Sequence, residues 1–256
     1  MMNDIQSSEN SSRRTLLRGA FAGVAGLAAV SLLAPQAARA VIPASIPGTG
    51  DIQVLNFALA LEDLEADLYA QAILRLTTGG TDPQGVATIP GLNVATSEID
   101  VAYIQKFSSV EAAHRDFLKT ALGPQAITTL KPAKYNFGIE TMTRQQVLDL
   151  VLEAEATGVQ AYLGAIPSFT TQSQYLPTAA AIQGTEARHT SVLTIVRNIL
   201  YGPITPVAPL KGDVGTTPTA TSYSATAPNT GTPEGRDLAL APDQVLARVG
   251  GFIQYQ

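Results

Sequence analysis

Glu111-Ala112-Ala113-His114 and Glu186-Ala187-Arg188-His189 decide how this chain is read. They hold the only two histidines in 256 residues, and each histidine follows a glutamate by three positions. Glutamate is about one residue in twenty-five here. Composition alone therefore gives the double coincidence on the order of once in several hundred chains. In a helix, residues three apart project from one face, one turn from each other. Each stretch then presents a carboxylate and an imidazole side by side, and two of them make half of a dinuclear metal site.

The flanking residues say where those faces point. Ile104, Phe107, Glu111, His114, Leu118 and Ala121 form one seam at helical spacing, and Ala179, Ile182, Glu186, His189, Leu193, Val196 and Leu200 form another. Two further seams each carry a single glutamate at mid-height. The first runs Leu55, Leu59, Glu62, Ala66, Tyr69, Ile73, Leu76, and the other runs Leu148, Leu152, Glu155, Val159, Tyr162, Ile166. Punctuation supports the same four helices. Asp51 and Ser97 stand as N-caps of the first two, with Asp100 at the third helical position of the second. Thr143 and Gln146 form a capping box for the third, and Pro177 suits the first turn of the fourth. Gly123-Pro124 and Gly202-Pro203 end helices. Residues 77–96 are rich in turn formers, and roughly twenty residues separate the second helix from the third as an extended connection. The expected fold is all-α, a four-helix bundle with a long crossover between helices 2 and 3.

Six ionisable residues thus occupy positions that should hold Leu or Val: Glu62, Glu111, His114, Glu155, Glu186 and His189. Facing a core without a partner costs several kcal/mol per charge. Four carboxylates and two imidazoles balance two divalent ions, and a donor set without thiolate suits Fe or Mn and accepts Zn. Glu111 and Glu186 are placed to bridge, Glu62 and Glu155 to bind terminally, and each histidine to serve one metal. The layout repeats, since Glu62 with Tyr69 is echoed by Glu155 with Tyr162 at the same spacing of seven. Tyr69 and Tyr162 read equally as core aromatics or as hydrogen-bond donors to ligating carboxylates. Glu65 and Glu153 fall off the seams and read as solvated or as partners of ligands. Asp63, Asp67, Arg115 and Arg188 read as surface charges.

These residues resemble the ferritin-like di-iron carboxylate superfamily, in which two helices carry Glu and two carry Glu-x-x-His. Leu55-Asn56 through Glu62 to Tyr69 is similar to the first helix of bacterioferritin. Leu55-Asn56-Phe57-Ala58-Leu59, Leu61-Glu62-Asp63-Leu64-Glu65 and the run from Thr157 to Ala165 resemble exported bacterial ferritin-like proteins, a group similar to plant desiccation-related proteins. The likeness covers Ile52 to Tyr201, with a looser match from Val245 to Ile253. It implies a ferritin-like bundle with two Fe ions, Mn or a mixed Fe/Mn pair being the alternatives.

The rest of the chain bounds its setting. Ser12-Arg13-Arg14-Thr15-Leu16-Leu17-Arg18, a weakly apolar run and Ala38-Arg39-Ala40 read as a twin-arginine signal peptide over residues 1–40, with an uncleaved anchor as the weaker reading because the apolar run is short for a bilayer span. The expected address is periplasmic or otherwise extracytoplasmic. Residues 41–202 would form the bundle, 203–236 a Pro/Thr/Gly-rich linker, and 237–256 a short helical segment, docked or loose. Losing Arg13, Arg14, Arg18 and Arg39 with Asp4 and Glu9 would move the net charge from −5 to −7. That balance argues against nucleic acid or an anionic membrane as partner. The absence of cysteine excludes disulfides, thiolate catalysis and Fe–S clusters. A homodimer is a reasonable expectation for such a bundle. Oxidation of iron by O₂ or peroxide leads the functional readings, with a tyrosine as electron relay. A non-catalytic desiccation or stress protein with a structural metal, a dimanganese catalase-like activity and an iron-storage cage are the alternatives.

Overall fold

The computed structural model describes residues 41–85, 87–170, 173–202 and 239–255. The signal peptide expected over 1–40 and the linker expected over 203–236 lie outside the described residues. Four long helices carry the fold: α1 (Asp51–Leu76), α2 (Ile99–Leu122), α4 (Arg144–Ala165) and α5 (Leu176–Tyr201). Each contains one of the apolar seams read from the sequence. α1 packs chiefly on α2 and α4 chiefly on α5, so the chain makes two helical hairpins. α1 against α4 and α2 against α5 close them into one bundle.

The connections hold more structure than their turn-rich composition implied. After α1, β1 (Gly79–Thr81) pairs antiparallel with β2 (Thr88–Pro90). The crossover from α2 to α4 contains the single-turn helix α3 (Ile127–Leu130) and the strand β3 (Ala133–Tyr135). Asn56 pins its start to α1, its amide donating to the Gln125 carbonyl at 2.9 Å and its side-chain oxygen accepting from the Ile127 N–H at 2.7 Å.

Helix starts are partly as expected. Thr143 caps α4 in a complete capping box with Gln146. Asp51 and Ser97 do not cap. α1 begins after Gly50, and the Asp51 carboxylate instead accepts from the Thr170 N–H at 2.9 Å and its hydroxyl at 3.1 Å. α2 begins after Glu98, and the fully buried Asp100 takes two bonds from the Arg144 guanidinium at 2.6 and 2.7 Å. Thr170 thus takes the carboxylate that would have capped α1, and the charge-assisted fork of Arg144 holds Asp100 at the start of α2.

The C-terminal segment is docked. Helix α6 (Pro242–Val249) buries Val245 and Val249 against the bundle, and β4 (Ile253–Tyr255) pairs antiparallel with β3. The Leu240 N–H donates to the Gln160 carbonyl, and Arg248 donates to Thr157 and Gln160 on α4. Among the described residues no helix is long and apolar enough to cross a membrane.

Candidate metal centre

The four long helices bring all six polar seam residues together at mid-height. Glu62 of α1, Glu111 of α2, Glu155 of α4 and Glu186 of α5 are wholly buried, His189 nearly so, and the His114 side chain is 13 % exposed. The ring atom His114 Nδ1 lies 2.8 Å from Glu111 Oε2, 3.3 Å from Glu62 Oε2 and 3.6 Å from Glu186 Oε1. On the other side, His189 Nδ1 lies 2.7 Å from Glu111 Oε1 and 3.2 Å from Glu155 Oε1. Two groups able to hold a metal result, Glu62 with Glu111, His114 and Glu186, and Glu111 with Glu155 and His189. Glu111 belongs to both. Glu186, expected to bridge as well, joins only the first group, so the two halves are not equivalent.

The tyrosines cross over. The Tyr162 hydroxyl of α4 donates to Glu62 Oε1 of α1 at 2.5 Å, and the Tyr69 hydroxyl of α1 donates to Glu155 Oε1 of α4. The mirrored spacing in the sequence thus becomes a reciprocal brace, in which each helix fixes the other's carboxylate. Phe107 stacks on the His189 ring with centroids 3.8 Å apart and sets its plane.

The electrostatics follow from burial. Burial lifts Glu62 to about 7, with the Glu111 charge adding and hydrogen bonds from His114 and Tyr162 opposing. It raises Glu155 and pushes Glu186 well above the usual carboxylate range. Glu111 is the exception. Its burial is outweighed by the close approach of both histidines, and its carboxyl stays below the ordinary value. Burial works against charge on the imidazoles, but the carboxylates of Glu111 and Glu62 beside it lift His114 to about 10, and those of Glu111 and Glu155 lift His189 to about 9. Left to the protein's own groups, the carboxylates balance their charge with protons on both rings.

Protons do not satisfy the cluster. Glu62 Oε2, Glu111 Oε1, Glu155 Oε2 and both Glu186 oxygens are buried without a well-formed hydrogen bond. The 2.7 Å approach of His189 to Glu111 Oε1 is a close contact lacking hydrogen-bond geometry. Buried carboxylate oxygens are normally paired. Oxygens aimed at one space beside two imidazole nitrogens form a donor set that fits cations.

A family model of the ferritin-like domain matches residues 50–199. This chain belongs to the ferritin-like domain family. No curated protein and no solved structure matches it. The matched span of this ferritin-like chain runs from the start of α1 almost to the end of α5 and includes all six converging residues; α6 lies beyond it.

Of the two readings of Glu65, solvated or partner of a ligand, the first falls: Glu65 is 4 % exposed, and burial pushes its carboxyl well above the ordinary range, with Glu155, Glu62 and Glu111 adding to the shift. Asp67, expected as a surface charge, needs correction: it is buried too, accepting from the Gln71 amide at 2.6 Å. Both lie on α1, which is enclosed on more than its seam face because the crossover and the C-terminal segment also cover it. A signal for Glu65 was present, since it follows Glu62 by one helical turn. The other readings stand differently: Asp63 is half-buried, bonded to Lys119 and Tyr135, Arg188 is exposed, and Glu153 is partly buried.

Proposed function

We propose that this ferritin-like protein binds two metal ions, iron foremost, through Glu62, Glu111, His114, Glu155, Glu186 and His189, and uses them in redox chemistry of O₂ or peroxide outside the cytoplasm. The observation that carries this reading is the set of buried, unbonded carboxylate oxygens facing two imidazole nitrogens. A pair of iron ions would supply electrons to a small oxidant held between them, with Mn a second fit to the same donors. The chain's own residues do the rest. Glu111, reached by both histidines, joins the two halves. Tyr69 and Tyr162 hold the terminal carboxylates in place, and the apolar seams above and below exclude bulk water. The twin-arginine stretch motivates the extracytoplasmic address, because that route carries proteins folded with their metal aboard.

Anaerobic loading with Fe(II) followed by O₂ or peroxide tests this function. Two equivalents of iron per chain should oxidise faster than free iron. A Glu111→Ala/Glu186→Ala variant should lose both binding and rate. Equal metal content in the two proteins would sink the site, and bound iron that oxidises no faster than free iron would sink the redox reading.

A further inference from the structure

A cavity of about 230 Å³ lies between α1 and α4, roofed by the docked C-terminal segment. Its walls are largely apolar, with Leu61, Leu64 and Leu68 from α1, Leu150 from α4, and Val249 and Phe252 from the roof. A cavity of about 150 Å³ with such walls admits benzene, so this one has room for a substituted ring. It is not a uniformly greasy void: Glu65, Glu153, Thr157 and Arg248 also line it. Arg248 donates to Thr157 and Gln160 and the Thr157 hydroxyl donates to the Glu153 carbonyl, which leaves Glu65 as the carboxylate to be matched. That carboxylate is 4 % exposed and has no hydrogen-bond or ion-pair partner among the described residues. An unpaired buried carboxylate is costly, and here it is aimed into a space large enough for a ligand.

Gly158 lines this cavity and also faces the metal centre. A Cβ at that position would stand 2.5 Å from Glu186 Oε2 and 3.2 Å from Glu65 Oε1. Both carboxylates therefore lie against the bare backbone of α4 at this glycine. Apolar walls disfavour a hydrated metal ion, and two carboxyl groups, Glu65 and Glu153, against one guanidinium already turned to Thr157 and Gln160 disfavour an anion. What remains is an apolar body with one donor.

We infer that the cavity under the C-terminal segment is a binding site for a small ring compound bearing one hydroxyl or amine donor, which Glu65 accepts beside the metal centre. The site needs no metal, so its failure and that of the redox reading are separable. The full chain, metal-loaded and metal-free, is titrated with p-cresol, with toluene as the donorless match and 4-methylbenzoate as the anion, by calorimetry and saturation-transfer NMR. p-Cresol should bind to both forms at least fivefold more tightly than toluene, with no binding of 4-methylbenzoate. Glu65→Leu should abolish the preference for p-cresol while toluene still binds. Ala154→Phe, which adds bulk at the cavity wall, should weaken both at least tenfold with the circular dichroism spectrum unchanged. Absence of saturable p-cresol binding, equal affinity for toluene in the native protein, or affinity unmoved by both variants overturns the proposal.

Discussion

Tyr69 and Tyr162 show how much a single hydroxyl can fix in this bundle. Each sits on one hairpin and holds a buried seam glutamate of the other, so neither Glu62 nor Glu155 is free to swing. A group that orients a ligand usually affects metal affinity by about 10–100-fold. Tyr162→Phe should therefore weaken metal binding by about tenfold or more, read in a competition titration against a chelating dye, with helix content unchanged. Asp67 provides a pH reading away from the centre. Burial raises its carboxyl from the ordinary 3.8 to about 6, with Asp82 and Asp63 adding and the Gln71 bond opposing. Between those values the folded protein holds the proton more tightly than the unfolded chain. This contribution to stability is therefore fully present below about pH 4 and lost as pH rises through about 6. Asp67→Asn, which keeps an acceptor for Gln71 without the charge, should melt higher than the native protein at pH 7.5. The gap should shrink steadily toward pH 4 in thermal melts across that range; a constant gap would show that Asp67 does not titrate in this window.

Among the elements, the docking of α6 turns on one missing side chain. A Cβ on Gly164 of α4 would collide with the Leu240 carbonyl, whereas alanine is intrinsically the better helix former by about 1 kcal/mol. Gly164→Ala should therefore leave α4 intact but dislodge residues 240–255, measured as faster amide exchange there and earlier proteolysis of the tail. The opposite end of the bundle is tied by Arg144 to Asp100, the first turn of α4 to the first turn of α2. Arg144→Met strands the buried Asp100 carboxylate, and a loss on the order of 3 kcal/mol is expected, checked by urea denaturation. These elements also mark what could be read in advance. The seams of α1, α2, α4 and α5 were legible because burial and the 3.6 period coincide, and the six core-facing polar residues stood out against them. The partners of Asp51 and Asp100 and the docking of the tail were not, because Thr170, Arg144 and Gly164 all lie far away in sequence. A one-face reading of α1 could not anticipate a helix covered on several sides.

At the level of the whole molecule, the centre is first of all a stability problem. Four wholly buried carboxylates from four helices meet where a bundle ordinarily packs leucine, and their repulsion acts to push every helix pair apart. Cations placed among them reverse that sign, so bound metal should hold the bundle together. A ligand at about a hundred times its dissociation constant stabilises by about 2.7 kcal/mol. For a domain of this size each kcal/mol moves the melting temperature by about 2–4 °C. Chelation should accordingly lower the melting temperature of the iron-loaded protein by about 5–10 °C, and restoring Fe(II) should recover it. The same treatment should leave a Glu111→Ala/Glu186→Ala variant unmoved, since it has no ions to lose. The metal-free protein must also take up protons on His114 and His189 in place of the ions, so metal loading should release them and metal affinity should rise with pH. A melting temperature indifferent to chelation in the native protein would mean that the six residues balance their charge without a cation, and the bundle would need another explanation for so polar a core.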